Sequence, residues 1–444
     1  MALLTLRAHL KENTRLAIPV MLSNLGHVMM GVCDNIMVGH IDTVSLAGSG
    51  LAIVAFNVLL LFGIGVSYAI TPLVAAAHGE NNESHITKIL RHGLVINTIN
   101  GIFLVGVVYF ARHVLYYINQ PPEVVDKAIP YLNIIMLSLI PVLIFQSFKQ
   151  FAEGLSNTRI ALVVVIISNL MNILLNYLLI YGHAGFPELG LNGAGWATLI
   201  SRIGMAIGIA LYFYYAAAFR QFRGAFKPIA FSKKLFVALL ALGIPSGAQF
   251  IFEVAAFDFS LVMMGWLGTE TQAAHQIVIN MATLSYMTTA GVAAAATIRV
   301  GYFSGKGDAE NLSRSAYTSV GMALALMSLW AILFIAGNSW LPTLYVEDNK
   351  VIAIASSLLI IAGLFQLSDG VQVVCNSALR GLQDVKIPSL LIFISYWIIG
   401  LPLGYWLAFI LDLGAIGIWT GLLIGLTLTA TATFLRLRSK LLQR

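Results

Sequence analysis

The sequence predicts an all-α membrane protein with twelve transmembrane helices in two six-helix bundles related by pseudo-two-fold symmetry. Three observations carry this. Of 444 residues, 59% are hydrophobic and only 10% charged, where a soluble domain carries about 25% charged. The apolar residues gather into twelve segments long enough to span a bilayer. Motifs of the first half return in the second at a nearly constant spacing. The alternating ten-residue strands of an outer-membrane barrel are absent. Lipid offers no partner to open backbone groups, so each segment reads as a helix.

The first segment, 14–38, follows Arg7, Lys11 and Arg15 and runs on too long for a cleaved leader. Ser23, His27, Met30 and Asp34 share one face of it. Segments 46–75, 91–112 and 128–150 follow; the fifth, 160–181, places Asn169, Asn172 and Asn176 on one face. That face is expected to meet the first and give Asp34 amide partners. The sixth, 191–217, contains Arg202, and the basic stretch FRQFRGAFKPIAFSKK (219–234) comes next. The reading is an N-lobe, 1–217, a cytoplasmic basic linker, 218–235, and a C-lobe, 236–444.

The seventh segment, 236–266, carries Glu253, with Gln249 one turn earlier. Asp258 lies about 140° around the same helix, so it faces elsewhere. The eighth, 271–300, has a polar stripe of Gln276, Asn280 and Thr283. After 313–337 the tenth, 351–376, sets Gln366, Asp369 and Gln372 three residues apart, and 386–410 and 414–435 end the series.

Twelve spans put both termini on one side. That side holds 21 of the 25 Lys and Arg residues, which places it in the cytoplasm. The net charge of +6 therefore reflects topology and anionic head groups, not nucleic acid. LAIP (16–19) returns as LGIP (242–245), and GIGVSYAITPLVAAAHG (63–79) aligns with TAGVAAAATIRVGYFSG (289–305) at the same spacing of 226. EGLSNTRI (153–160) matches RGLQDVKI (380–387), and GLNGAGWAT near 190 echoes GAIGIWTG near 414. Six spans per half make the halves parallel repeats, between which transporters hold their sites.

Fifteen of the nineteen acidic residues read as loop or terminal positions, leaving Asp34, Glu253, Asp258 and Asp369 inside spans. An ionised carboxylate there costs several kcal/mol by order of magnitude unless paired, protonated or hydrated. Such residues suit proton or cation exchange, whereas polar stripes also serve as interhelical hydrogen-bond glue. Phe252, Tyr286 and Phe365 are candidates for lining a cation-binding cavity. Phosphate-cradling, zinc-protease and GxSxG motifs are absent, so ATP-driven work and hydrolysis are not indicated. Cys33 and Cys375 lie in apolar segments and read as buried thiols.

LAIPVMLSN, VCDNIMVGHI, GLSNTR, LGTETQAAHQIVIN and RGLQDVKIP, in that order, resemble the multidrug and toxic compound extrusion family, nearest its NorM-like branch. The resemblance covers the chain from about Leu16 to the last span. It implies two bundles forming a V that opens alternately to either side. It implies export of amphipathic, mostly cationic compounds in exchange for Na+ or H+. The family's acidic positions fall on Asp34, Glu253 and Asp369, with Asp258 as a second acid of the seventh helix and Asn172 and Asn176 in support. Glu253 and Asp369 are the Na+ candidates, and Gln276 and Asn280 are supporting polar residues. Some relatives have Tyr four residues before the tenth-helix acid; Phe365 stands here without a hydroxyl. The expected protein is a monomeric, multi-pass antiporter of the inner membrane, not an enzyme, with no cofactor beyond its coupling ion. The alternative is a lipid-linked oligosaccharide flippase of the same superfamily. Four intramembrane acids against Arg202 favour cationic cargo.

The Lys/Arg bias makes topology testable. A cysteine placed at Lys227 is expected to react only with a membrane-permeant reagent in intact cells. Labelling by an impermeant reagent from outside would reverse the orientation.

Overall fold

The computed structural model describes residues 3–117, 120–226 and 231–444. Lys227 and residues 228–230 of the basic linker lie outside the described residues. Among the described residues, twelve helices are long and apolar enough to cross a membrane. They are α1 (Leu6–Gly39), α2 (Thr43–Gly79), α3 (Glu83–Tyr117), α4 (Pro122–Gly154), α5 (Arg159–Tyr181) and α6 (Leu191–Tyr215). The second six are α7 (Lys233–Trp266), α8 (Thr269–Lys306), α9 (Ala309–Ala336), α10 (Asn349–Gly381), α11 (Lys386–Ile410) and α12 (Gly414–Leu442). No strand occurs among the described residues. This is a multi-pass membrane protein.

Several helices outrun their apolar segments. The fourth was read as ending at 150, but α4 continues to Gly154 and buries Lys149 and Glu153. In the same way α8 buries Arg299 and α10 buries Arg380. Glu153 was read as a loop position, and Lys149, Arg299 and Arg380 were counted with the charges of the cytoplasmic side. An apolar window stops where charge begins, but a helix continues while other helices satisfy its polar side chains.

The chain forms two compact units, Leu22–Gly247 and Met1–Met21 with Ala248–Arg444. The boundaries fall inside α1 and α7, not at the 218–235 linker. The first part of α7 completes the Leu22–Gly247 unit: a Cβ on Gly243 would lie 2.7 Å from the Val66 carbonyl oxygen. The first part of α1 completes the other: a Cβ on Gly291 would lie 2.6 Å from the Ala17 carbonyl oxygen. Gly243 corresponds to Ala17 and Val66 to Val292 at the repeat spacing of 226.

The repeat is atomic as well as sequential. Asn82 caps α3 by accepting from the His85 amide, and Asp308 caps α9 by accepting from the Asn311 amide. Their backbones coincide, with φ −98° in each and ψ 78° and 81°. At Asp308 burial favours the protonated form, but the Asn311 hydrogen bonds outweigh it and hold the pKa below its ordinary value. Thr71 Oγ1 donates to the Gln150 carbonyl at 3.1 Å; its counterpart Thr297 Oγ1 donates to the Ser377 carbonyl at 2.8 Å. The turns after α4 and α10 place Ser156 at φ 62° and Gln383 at φ 63°.

In the unit containing α8–α12, two apolar clusters occupy different levels. One surrounds Trp419, Phe365 and Met281; the other surrounds Ala296, Val374 and Ala378. α11 departs from regular winding at Ile394–Gly400 and Trp406–Ile410, two wide π-type turns flanking Pro402, which has no amide hydrogen. The first of these turns carries Tyr396 and Trp397.

Gly154 and Gly381 test the repeat packing. A Cβ on Gly154 would lie 2.7 Å from Val74 Cβ, and one on Gly381 would lie 2.8 Å from the Thr297 carbonyl oxygen. Gly154→Ala and Gly381→Ala are each expected to cost about 1–3 kcal/mol by overpacking. Gly321→Ala, which meets nothing within 4 Å, is expected to be neutral or mildly stabilising. Thermal unfolding of detergent-solubilised protein measures all three; equal midpoints would refute the packing.

Candidate functional site

Each unit holds a buried acidic site. In Leu22–Gly247 the site is centred on Asp34 of α1, which is 7% exposed. Asn176 Nδ2 of α5 donates to Asp34 Oδ1 at 2.6 Å. Thr198 Oγ1 of α6 donates to Oδ2 at 3.1 Å. Asn172 extends the network: its Oδ1 accepts from Asn176 Nδ2 at 3.3 Å, and its Nδ2 lies 3.5 Å from Thr198 Oγ1. Asn169 Nδ2 donates to the Gly26 carbonyl at 2.7 Å, fixing α5 against α1. The donors at the carboxylate are thus neutral. Arg202 acts on it electrostatically, while its Nη1 donates to Ser138 Oγ at 2.7 Å and its guanidinium lies 5.0 Å from the centre of the Phe56 ring.

In the other unit Gln372 Nε2 of α10 donates to Glu253 Oε1 of α7 at 2.9 Å, and Tyr396 OH of α11 donates to Gln372 Oε1 at 3.3 Å. Asp369, 6% exposed, lies close enough to Glu253 for the two charges to oppose one another. Gln366 is held by Ser285 Oγ of α8, which donates to its Oε1 at 2.7 Å. Along α8 and α10 these polar residues fall between the two apolar clusters. The arrangement gathers carboxylate, amide and phenol oxygens in an otherwise apolar span. Such oxygens can hold a proton or coordinate a hard cation. Among the described residues no group of three or more His, Cys, Asp or Glu side chains forms a metal cluster.

The structure separates other residues from these sites. Asp258 is exposed on α7. Gln276 and Asn280 are exposed on α8, where Gln276 Nε2 donates to Asn280 Oδ1 at 3.2 Å. Phe252 is half-buried with its ring centroid 4.9 Å from that of Phe393, and its carbonyl accepts from Trp397 Nε1. Tyr286 is half-buried and interacts electrostatically with Tyr396. Phe365 is buried, its centroid 5.9 Å from those of Phe257 and Trp419. His275 accepts from Trp419 Nε1 at its Nδ1, and its Nε2 faces Ser260 Oγ at 3.5 Å.

Sequence reasoning missed Thr198, whose motif GLNGAGWAT had been read only as a repeat marker. It also missed Lys149 and Glu153, although opposite charges four residues apart at the end of an apolar run could have shown a buried pair. The charge argument for cationic cargo is corrected accordingly. Glu153, Lys149, Arg299 and Arg380 are all buried, so the interior is not four acids against one Arg.

Comparison with known proteins follows the same lines. A probable multidrug resistance protein NorM of Agrobacterium fabrum is 34% identical over 441 residues, covering 97% of this chain and 93% of its own. Multidrug resistance protein MdtK of Yersinia pseudotuberculosis is 34% identical over 428 residues, covering 95% and 94%. Among solved structures, the eukaryotic MATE transporter AtDTX14 superposes with a TM-score of 0.86 at 19% identity, covering 97% of this chain and 95% of its own. An outward-facing multidrug resistance MATE family transporter of the MOP superfamily gives 0.87 at 19% identity, covering 98% and 96%. The MatE family model matches residues 19–178 and 245–406, one block in each repeat. The chain belongs to the MatE family.

Proposed function

We propose that the protein is a secondary antiporter that exports amphipathic, mostly cationic drugs in exchange for Na+ or H+. One observation carries the reading: each unit buries a carboxylate site whose hydrogen-bond donors are amides and hydroxyls. Neutral donors stabilise an anion without cancelling its charge. A carboxylate in such a setting is costly to leave ionised and empty. It is relieved by a proton, by a cation, or by a cationic drug, and these compete for the same charge. Exchange follows if each occupant favours a different conformation. Glu253 and Asp369 share one occupant in this scheme, with Gln372 and Tyr396 supplying further oxygens; Asp34 with Asn172, Asn176 and Thr198 forms the second site. The membrane potential adds about 2.3 kcal/mol per elementary charge moved across 100 mV.

The names of the relatives favour drug export over oligosaccharide-lipid flipping. The working form is a monomer in the inner membrane with both termini in the cytoplasm, as the Lys/Arg bias implies. It performs no bond chemistry, and its partners are small drugs and the bilayer.

Reconstituted protein exporting a cationic dye under separately imposed Na+ and pH gradients tests the scheme. Glu253→Gln and Asp369→Asn are each expected to lower gradient-driven export by about tenfold or more, with the double variant little worse than either. Simple additivity, or full export in either single variant, would refute the shared site. Asp34→Asn is expected to fold but lose most export, and near-normal export across pH 6–8 would reduce Asp34 to a packing residue.

A further inference from the structure

We propose that a buried polar path in the Leu22–Gly247 unit carries protons between Asp34 and the end of α4, through His27 and Glu153, with Lys149 as a positioning residue. The inference rests on the reading of Asp34 as an exchange site.

The path begins at the charged turn of α4. Lys149 and Glu153 are 4% and 3% exposed, and Lys149 Nζ stands 4.0 Å from Glu153 Oε1. A buried ion pair is weak as a stabilising device, since desolvation offsets its attraction. This pair reaches across to α1, where Lys149 Nζ donates to Asn24 Oδ1 at 3.4 Å. His27 lies one turn beyond Asn24, and Asp34 lies two turns beyond His27 on the same helix face. His27 packs edge-on to Phe145 of α4.

The polar atoms along this line are not saturated. His27 Nε2, Ser23 Oγ, Gln146 Oε1 and Glu153 Oε1 are buried and accept or donate no hydrogen bond among the described residues. Buried polar atoms of this kind are the usual partners of bridging water. The charged groups facing the path are Lys149 and Arg202 at His27, Arg202 at Asp34, where the Tyr131 phenol also interacts, and Lys149 at Glu153. Two residues further along the chain than Glu153, Leu155 lines a cavity of about 320 Å3 whose lining also includes His78, Asn81, Glu83, Asn157 and Gln221. In the proposed path this cavity is the polar mouth.

The other repeat argues that the path is not a requirement of the packing. There Glu253 stands at the position of His27, Asn376 at that of Lys149, and Arg380 at that of Glu153. One repeat ends its polar line in a proton acceptor and the other in a fixed cation. The steps balance without a co-reactant. Over bridging water, a proton from Asp34 reaches one ring nitrogen of His27 as the other ring nitrogen gives up its own, so that no lasting imidazolium stands beside Lys149 and Arg202. Glu153 accepts the released proton and passes it to the cavity. Lys149 keeps its charge throughout and favours the ionised state of Glu153 between transfers.

The test uses purified full-length protein in detergent with a pH indicator, mixed rapidly with a cationic dye. The variants are Asp34→Asn, His27→Gln, Glu153→Gln, and the apolar pair Lys149→Met with Glu153→Leu, which keeps the site filled if the single change unfolds the protein. The His27 and α4 variants are expected to displace as many protons at equilibrium as wild type, with unchanged dye affinity. Their proton release, and pH-driven export after reconstitution, is expected to slow by about tenfold or more. Wild-type rates in His27→Gln and in the apolar pair, with displacement abolished by Asp34→Asn, would overturn the path and leave the Asp34 reading intact. Full displacement in Asp34→Asn, or none in wild type, would overturn both.

Discussion

A polar side chain in a spanning helix must find its partner on another helix, because lipid supplies none. Most of the specific contacts described here answer that constraint. Asn169 is spent on the Gly26 carbonyl, Thr297 on the Ser377 carbonyl, and His275 on Trp419. These bonds tie helices together and leave no reactive group behind. The acidic sites differ, because amides and hydroxyls satisfy the geometry of a carboxylate but not its charge. What distinguishes glue from a candidate site is thus a carboxylate whose donors carry no charge, as at Asp34 and Glu253.

The two repeats share packing and divide the chemistry. Small residues, caps and turns recur in register: Gly154 with Gly381, Asn82 with Asp308, Ser156 with Gln383. The ionisable residues do not. Asp34 corresponds to Ser260, Asp369 to Val142, and Glu253 to His27. Backbone contacts tolerate little variation, since a methyl group at Gly154 or Gly381 would enter occupied space. Polar positions are free to diverge once the frame is kept. A duplicated scaffold can therefore carry two unlike sites on one architecture.

Helix number and the repeat were legible because hydrophobicity and spacing are one-dimensional signals. The pairing of Asp34 with α5 was within reach for the same reason, as both residues sit on polar faces of otherwise apolar helices. Thr198 was not, because a single threonine in a small-residue motif carries no periodic signal. The segment boundary at 150 separated Lys149 from Glu153: a hydropathy window ends near the first charges even when the helix continues to Gly154. Asp258 shows the reverse. The resemblance made it a second acid of the seventh helix, whereas its 140° offset from Glu253 already turned it elsewhere, and it lies on an exposed face. The exchanged starts of α1 and α7 left no mark in the sequence, since repeat alignment shows which segments correspond and not which neighbours they choose.

That exchange bears on how the protein is made. The Leu22–Gly247 unit lacks the Gly243 contact of Val66 until the first part of α7 has been made. Residues 1–21, synthesised before α8, find their neighbours at Gly291 and Arg299 only when α8 has entered the bilayer. Neither repeat finishes assembling from its own translation product. The order of synthesis thus requires an early segment to wait in the membrane for a late one, and an independently expressed half would lack one of its own walls.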